Sequence, residues 1–499
     1  MRNRRAVVVG AGMGGLAAAV DLARAGLQVT VVERASGPGG KMRQIRVGGS
    51  GIDAGPTVFT MRWVFDALFE DAGAALDTAL DLEPAHILAR HAWRSGGRLD
   101  LFAEIERSAD AIGEFAGADD AKGYVDFCRR SADVYRALCG PFIASQRPSP
   151  LELVRRLGRG GLGAMLRTSP MQSLWAALGR HFRDPRLRQL FGRYSTYCGS
   201  SPMQAPATLM LVAHVEQDGV WRVRGGMRRV AEAMRTLGES QGAQYRFDSH
   251  VREILVDKGR ACGVLLEDGT RLEADAVVFN GDVSALPLGL LGPGVARAAR
   301  GTAPSARSLS AVTWCMNTRT SGFPLSHHNV FFGEDYAAEF DEIFSRREIT
   351  QAPTVYVCAQ DRGDSDSPEG NERLLVLINA PADGDRTRFD DERRTQLQER
   401  TFGLLEACGL QVSPDNGRGV MTTPTEWEAL FPASGGALYG RANHGPWASF
   451  QREGAASRVP GLYLAGGSVH PGPGIPMAAM SGRLAAARLL ADSPAPHSA

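Results

Sequence analysis

Three glycines near the start of the sequence, Gly10, Gly12 and Gly15, have the spacing of a turn that binds a diphosphate. A short apolar run at residues 6–9 precedes them, and apolar residues at helical spacing follow. In such a turn the first glycine permits the bend, the second lets the backbone approach the phosphates, and the third lets helix and strand pack closely. Because a glycine-rich turn can also serve structure alone, its meaning depends on the residues that follow.

An acidic residue, Glu33, ends the next predicted strand at residues 29–32. A carboxylate in this position holds the ribose hydroxyls of an adenine dinucleotide and disfavours a 2′-phosphate. The order of strand, turn, helix, strand and acid therefore predicts a Rossmann-type unit that binds an adenine dinucleotide other than NADP.

A second turn, GIDAGPTVF, contains Gly55, Pro56 and Thr57. Its glycine and proline would bring this loop against another surface, although an ordinary β-turn has the same composition. We expect the loop to lie near the cofactor only if further motifs support such a site.

A second helix N-terminus is predicted far along the chain. The segment GLYLAGG, at 461–467, has the pattern of a buried strand that ends in the turn glycines Gly466 and Gly467. A helix then follows Gly474, and Pro476 suits its first turn. Its free N–H groups and positive dipole would face an electron-rich group, a role that the pyrimidine edge of a reduced flavin suits. His470 in this turn is a hypothetical general base, with a turn-capping histidine as the alternative.

The elements that must position these residues belong to a chain of 499 residues, which is long enough for two or three structural units. A formal net charge of +1 excludes a nucleic-acid partner based on gross charge. The sequence predicts no signal peptide and no membrane-spanning stretch, so we expect a cytoplasmic location. The seven cysteines are scattered and lack CxxC spacing, which indicates reduced packing residues, and the histidines lack the spacing of a metal site.

A basic stretch between residues 150 and 195 interleaves arginines with Leu, Phe and Trp and contains a single acid from residue 155 to 193, Asp184. This pattern matches a helix that lies in the headgroup plane of an anionic membrane, and it also matches a solvated helix with a buried opposite face. The arginines are Arg155, Arg156, Arg159, Arg167, Arg180, Arg183, Arg186, Arg188 and Arg193.

Together these motifs resemble the FAD-binding amine oxidase and carotenoid desaturase superfamily. The extension through Gly39-Gly40-Lys41, the segment Asn280-Gly-Asp282 and the motif HPGPGIP at 470–476 are similar to bacterial-type carotenoid desaturases. The pieces at 200–227, 325–332, 353–362 and 470–483 look most like 1-hydroxycarotenoid 3,4-desaturases. One departure is that Val469, His470 and Pro473 replace the small residues common in phytoene desaturases, which affects the predicted pocket beside the flavin.

The resemblance implies non-covalent FAD held by residues from both ends of the chain. Lys41 would hold the diphosphate, the GIDAGPTVF loop would lie against the flavin, and the backbone near Val251 would touch the adenine. The implied cofactor contacts are Gly10, Gly12, Gly15, Glu33, Arg34, Gly40, Lys41, Gly55, Pro56, Thr57, Val251, Gly466, Gly467, Gly474, Ile475, Pro476 and Met477.

The resemblance also implies an α/β fold with a discontinuous Rossmann-type FAD domain at residues 1–75, 215–300 and 440–499. Residues 76–214 and 301–439 would form an interleaved α+β domain for substrate and membrane. The implied reaction is FAD-dependent 3,4-desaturation of an acyclic 1-hydroxycarotenoid at the inner, photosynthetic membrane. The alternatives are a phytoene desaturase, a carotenoid isomerase and a non-catalytic carotenoid-binding flavoprotein. Since no second GxGxxG turn exists, we expect oxygen or a quinone as the electron acceptor.

Overall fold

The computed structural model describes residues 4–158, 161, 163, 168–363, 368–413 and 419–492. Its strands, in chain order, are β1 Arg5–Val9, β2 Gln28–Val32, β3 Gln44–Val47, β4 Ser50–Asp53, β5 Leu82–Pro84, β6 Ile87–Trp93, β7 Arg98–Phe102, β8 Trp221–Val223, β9 Gln244–Arg246, β10 Val251–Asp257, β11 Arg260–Leu266, β12 Arg271–Glu273, β13 Ala276–Phe279, β14 Ser310–Thr318, β15 Thr320–Gly322, β16 His328–Phe332, β17 Val355–Ala359, β18 Glu372–Ala380, β19 Leu410–Val412, β20 Val420–Thr422 and β21 Leu462–Leu464.

The α-helices are α1 Met13–Arg24, α2 Trp63–Asp71, α3 Leu76–Ala79, α4 Ile105–Ala116, α5 Ala118–Leu138, α6 Pro150–Arg156, α7 Leu174–Leu178, α8 Pro185–Gly192, α9 Leu211–Gln217, α10 Arg228–Ser240, α11 Tyr336–Asp341, α12 Asp391–Ala407, α13 Pro424–Leu430 and α14 Ile475–Ala491. None of the described helices is both long enough and apolar enough to cross a membrane.

The first large sheet has the strand order β21-β13-β1-β2-β9, and all of its strands run parallel. The central strand β1 is almost wholly apolar and buried, as expected for a strand covered on both faces. The sheet unites strands from three separated parts of the chain. The predicted Rossmann-type α/β fold is therefore confirmed.

Helices α1 and α14 cross closely beside this sheet because both carry glycine at the contact. A Cβ atom on Gly482 would lie 2.0 Å from the carbonyl oxygen of Gly14. The two helices share an apolar core with α10 and one face of the sheet. Their close crossing brings both helix N-termini to the same region of the molecule.

The second large sheet has seven strands in the order β20-β14-β18-β17-β16-β6-β7. Register places Thr313, Leu377, Tyr356 and Val330 in one row across four neighbouring strands. All four side chains line a cavity. They share one face of the sheet, because residues paired across neighbouring strands project to the same side of the pleat. Helix α12 contributes apolar side chains to the core that also contains buried residues of these strands.

Helices α5, α7, α8 and α9 form a further layer whose core includes several apolar residues of the basic stretch, among them Leu174, Phe182 and Phe191. The apolar side chains of residues 174–191 pack inward, which agrees with the alternative of a solvated helix with a buried opposite face, and the contact of the 150–195 stretch with a membrane stays a prediction. Two arginines of this part contact neighbouring side chains: Arg186 pairs with Asp184, and Arg188 lies over the ring of Trp175. Several residues of the predicted stretch lie outside the described residues: Arg159, Leu162, Met165, Leu166 and Arg167.

Candidate functional site

A cavity of about 920 Å³ lies between the parallel sheet, the seven-stranded sheet and the helical layer. The structure brings almost all predicted cofactor residues to its wall, while Gly15 and His470 lie outside the lining. The predicted residues that line it are Gly10, Gly12, Glu33, Arg34, Gly40, Lys41, Gly55, Pro56, Thr57, Val251, Gly466, Gly467, Gly474, Ile475, Pro476 and Met477.

The glycine turn after β1 leaves no room for side chains. A Cβ atom on Gly15 would lie 2.0 Å from the carbonyl oxygen of Gly10, which explains the predicted close contact of helix and strand. Gly10 has a φ of +99°, a conformation that favours glycine. The turn therefore exposes backbone to the cavity, as a diphosphate site requires.

Asn280 connects this turn to the second glycine turn. Its Nδ2 donates to the carbonyl oxygen of Gly10 at 3.2 Å. Cβ atoms on Gly12, Gly14 and Gly466 would each lie within 2.8 Å of its side-chain amide. Sequence reasoning noted Asn280 within a family motif but assigned it no role, because its partners are distant in sequence.

Glu33 is buried at the cavity wall, directly after β2. Its two carboxylate oxygens accept the backbone N–H groups of Ala11 and Ala35, each at 2.8 Å. The carboxylate is thus held in place, and its remaining lone pairs can accept hydrogen bonds from ribose hydroxyls.

Lys41 contacts the loop that precedes Tyr439. Its Nζ donates to the carbonyl oxygens of Leu438 at 2.7 Å and Ala437 at 3.3 Å. Burial lowers the pKa of this ammonium group from its ordinary value. The Lys41 ammonium therefore stabilises the loop at the cavity wall, and its contact with a diphosphate stays a prediction.

Two helices begin at the cavity. Met13 and Gly14 of α1 line it, as do Ile475, Pro476 and Met477 of α14. Unsatisfied N–H groups and the positive dipole end make such termini suitable for anionic groups. Arg452 holds the nearby turns together, because it donates to the carbonyl oxygens of Tyr439, Gly467 and Arg441.

His470 lies behind the cavity wall and is only 2% exposed. Its Nε2 lies 2.9 Å from the carbonyl oxygen of Phe142 and 3.0 Å from that of Ser145. Since carbonyl oxygens only accept, Nε2 carries the hydrogen. Burial lowers the pKa of His470 to about 4. This arrangement favours the alternative of a histidine that anchors the turn, and the general base stays a prediction.

The sheet side of the cavity carries a hydrogen-bonded chain next to the GIDAGPTVF loop. The Thr57 hydroxyl lies 2.7 Å from the Tyr356 hydroxyl, which lies 2.7 Å from Nδ1 of His328. Burial raises the pKa of Tyr356 well above its ordinary value. His328 also lies near His327 and Cys358, and their potential ligand atoms all fall within 4.8 Å of one another. The sequence did not indicate this grouping, because Cys358 comes from the neighbouring strand β17.

A second polar group faces the cavity from the helical layer. Arg193 Nη2 donates to the Tyr197 hydroxyl at 3.2 Å, and that hydroxyl donates to Glu216 Oε1 at 2.8 Å. The Tyr194 hydroxyl donates to the other Glu216 oxygen. Sequence reasoning counted Arg193 only as part of the basic stretch and gave Glu216 no role.

The residues at the cavity fit FAD. The glycine turn offers open backbone, Glu33 offers acceptors for ribose, and a second helix N-terminus faces the same space. The remaining wall is largely apolar, so the cavity combines a dinucleotide site with space for an apolar molecule.

Comparison with known proteins agrees with this geometry. Hydroxyneurosporene desaturase of Rubrivivax gelatinosus is 57% identical over 98% of this chain and 94% of that protein. The enzyme of that name from Cereibacter sphaeroides is 45% identical, over 98% of each chain. Phytoene desaturase of Neurospora crassa is 29% identical over 99% of this chain and 85% of that protein.

A solved structure of putrescine oxidase has the same fold, with a TM-score of 0.60 at 16% identity over 98% of this chain and 99% of that one. The family model described as flavin containing amine oxidoreductase matches residues 13–490. The chain is therefore an FAD-dependent oxidoreductase that belongs to the flavin containing amine oxidoreductase family, within its carotenoid desaturases.

Proposed function

We propose that this protein desaturates an acyclic 1-hydroxycarotenoid at the C3–C4 bond. The observation that carries the proposal is one continuous cavity that joins the dinucleotide turn to a largely apolar space. The two similar hydroxyneurosporene desaturases support a hydroxylated carotenoid as substrate, and the lower identity to phytoene desaturase disfavours that alternative.

The reaction removes two hydrogens from adjacent saturated carbons and leaves a double bond. One hydrogen departs with its electron pair as hydride and the other departs as a proton. When bound, FAD supplies the two-electron acceptor for the hydride. Positive charge that develops on the substrate is delocalised along the polyene, so proton loss does not require a strongly tuned base.

The apolar part of the wall has to hold the polyene and exclude water from the developing charge. Side chains from the end of α5, from the segment that follows it, from the turn before α9 and from α9 itself supply this surface. They are Leu138, Phe142, Ile143, Leu209, Leu211, Val212 and Val215. Because most of them are branched or aromatic and packed against buried neighbours, they restrict how the chain of the substrate can lie.

The test is anaerobic mixing of FAD-loaded protein in liposomes with 1-hydroxyneurosporene or with phytoene. We expect only the hydroxylated substrate to remove the visible absorption of the oxidised flavin and to gain one conjugated double bond. Reaction with phytoene alone would overturn the proposal in favour of the earlier desaturation. An isomerase would change the carotenoid spectrum without changing product mass, and a carrier would bind without reducing the flavin.

We also propose that the cavity opens toward a membrane surface, on the cytoplasmic side of the inner, photosynthetic membrane. Leu153, Pro170 and Pro446 line the cavity, and exposed apolar side chains neighbour them in sequence. These are Leu151, Met171 and Trp447, which are 61%, 70% and 46% exposed.

Hydrogen bonds connect the segment that carries Leu151 with the loop that carries Trp447. Arg147 donates to the carbonyl oxygens of Phe450 and Arg452, which ties the segment before α6 to the loop that carries Trp447. Arg155 and Arg180 are exposed nearby in sequence and would attract anionic lipid headgroups. An apolar substrate stored in the bilayer favours this direction of access.

Vesicle flotation tests the membrane proposal. The double change Leu151→Glu with Met171→Glu should reduce binding to anionic vesicles at least tenfold, because it places charge where apolar side chains would enter the headgroup region. Val420→Glu is the control, since Val420 is 37% exposed on β20 and does not line the cavity. Equal loss in both variants, or none in either, would contradict the proposal.

We propose oxygen or a membrane quinone as the acceptor that reoxidises the flavin. Mixing the reduced protein with each acceptor and following the return of oxidised-flavin absorption distinguishes them. Reoxidation by a nicotinamide nucleotide alone would contradict the proposal.

A further inference from the structure

A buried charged cluster in the wall of the apolar cavity requires an explanation. Arg193 and Glu216 both line the cavity, and the Tyr197 hydroxyl connects them. Glu216 is only 5% exposed. Moving such charges out of water is unfavourable, and apolar residues of similar volume would often be more stable. A wall that served only a hydrocarbon would gain nothing from this cluster.

The unused hydrogen-bonding capacity of the cluster is on the donor side. Both Glu216 oxygens already accept hydrogen bonds, from the hydroxyl groups of Tyr197 and Tyr194. Arg193 uses Nη2 for Tyr197, whereas its Nε is buried without a hydrogen-bond partner among residues that the structure describes. A guanidinium donates and never accepts, so the cluster suits a ligand oxygen with a free lone pair.

The cluster lines the same cavity as the GIDAGPTVF loop. Arg193 shares the cavity with Thr57 and Tyr356, and Thr57 belongs to the loop that the family resemblance places at the flavin. Burial raises the pKa of Tyr356, and the positive charge of Arg193 opposes that rise, as expected for neighbouring groups. In a 1-hydroxycarotenoid only three covalent bonds separate the hydroxyl oxygen from C3. Desaturation at C3–C4 therefore requires the oxygen to lie close to the reacting carbon.

We infer that Arg193, held by Tyr197 and Glu216, donates a hydrogen bond to the oxygen at C1 and so selects oxygenated carotenoids and sets the position of C3–C4. This inference rests on the proposed function. Because the donor requires only a lone pair, a 1-methoxy carotenoid should be accepted like the 1-hydroxy substrate. A carotenoid whose end lacks oxygen leaves the charged donor unsatisfied and should be rejected.

The test uses variants that remove the donor without leaving a charge alone. Arg193→Met with Glu216→Gln removes the donor and both charges, and Arg193→Leu with Glu216→Leu does the same with apolar side chains only. Arg90→Met with Asp100→Asn is the matched control, because it removes another partly buried ion pair that does not line the cavity. FAD loading and thermal unfolding of each variant are measured first.

Two readouts are compared for 1-hydroxy, 1-methoxy and oxygen-free forms of the same polyene. One is kcat/KM, and the other is Kd from the carotenoid absorption shift with the flavin kept reduced, so that no turnover occurs. In the wild-type protein we expect both oxygenated forms to be preferred about 10- to 100-fold. Both double variants at Arg193 and Glu216 should lose this preference and retain activity toward the oxygen-free form, and Arg90→Met with Asp100→Asn should keep the preference.

The outcomes separate the inference from the proposed function. A wild-type protein without preference for the oxygenated forms would overturn the proposed function itself. A wild-type preference that persists in the FAD-loaded Arg193→Met, Glu216→Gln variant would overturn only the role of Arg193. If that variant does not fold, Arg193→Leu with Glu216→Leu decides, since an undiminished preference in a variant without the donor contradicts donation by Arg193.

Discussion

The Glu33 carboxylate accepts the backbone N–H of Ala11 at 2.8 Å, so the end of β2 is tied to the turn that follows β1. The other carboxylate oxygen accepts the N–H of Ala35 at the same distance. Two charge-assisted hydrogen bonds therefore fix the one acidic group that lines the cavity directly after β2. This group is held in position before any ligand arrives.

Glu33→Gln should weaken FAD binding about 10- to 100-fold, because an amide replaces one charged acceptor by a donor that faces a backbone N–H. Quenching of FAD fluorescence during titration of the apoprotein measures the affinity. Glu232→Gln is the control, since Glu232 pairs with Arg228 and Arg229 on α10 and does not line the cavity. Unchanged affinity in the Glu33 variant would contradict a ribose contact.

Gly15→Ala should lower the free energy of unfolding by about 3 kcal/mol or more and reduce FAD loading, because the new Cβ would lie 2.0 Å from the Gly10 carbonyl oxygen. Urea unfolding and the ratio of flavin to protein absorbance measure the two effects. Gly113→Ala is the matched control inside α4, where the nearest atom to the new Cβ would be 3.6 Å away. That change should be neutral or stabilise the helix by about 0.5–1 kcal/mol.

The local patterns in the sequence predicted the dinucleotide half of the site well. The spacing of Gly10, Gly12 and Gly15, the acid at Glu33 and the helix that follows Gly474 are each encoded within a few residues. The structure brings these pieces together at one cavity because strands β1 and β21 belong to the same parallel sheet.

The polar groups of the substrate half could not be predicted in the same way. Arg193 and Glu216 lie 23 positions apart, and neither position belongs to a short motif. The arginine-rich pattern around Arg193 was also ambiguous, because a basic amphipathic helix has the same composition whether its apolar face meets lipid or protein. Only the tertiary packing shows that Leu187, Leu190 and Phe191 face inward.

Glu339 should make stability depend on pH. It is 1% exposed and accepts hydrogen bonds from Thr354 and Asn379, both of which line the cavity. Burial raises its pKa from the ordinary value of 4.5 to about 7. Between these values the folded protein keeps a proton that the unfolded chain releases, so stability falls as pH rises through this window. The loss amounts to about 3 kcal/mol and is complete above the folded-state pKa.

Glu339→Gln should remove this contribution, because an amide does not titrate. Urea unfolding of the variant and the wild-type protein at several pH values between 4.5 and 8 gives the difference. The variant should gain stability relative to the wild type as pH rises, and the difference should level off above about pH 7. Gln398→Ala, at an exposed position on α12, is the control, because it changes no titrating group. A constant difference for Glu339→Gln would mean that the folded-state pKa is not raised.

His470→Gln distinguishes an anchoring histidine from a general base. A glutamine amide can donate to the carbonyl oxygens of Phe142 and Ser145 as the imidazole Nε2 does, so an anchor should survive the change. We expect kcat within about threefold of the wild-type value and an unaltered pH profile, because the reactive part of the substrate would not touch this residue. His470→Ala, which cannot donate, should lose about 1–3 kcal/mol of stability by leaving buried carbonyl groups unsatisfied. A general base would instead give losses of about 10²- to 10⁴-fold in kcat for both variants, with the glutamine no better than the alanine. The two roles differ because the anchor depends on a donor at Nε2, which the glutamine amide replaces, whereas proton abstraction depends on a basic ring nitrogen, which glutamine lacks.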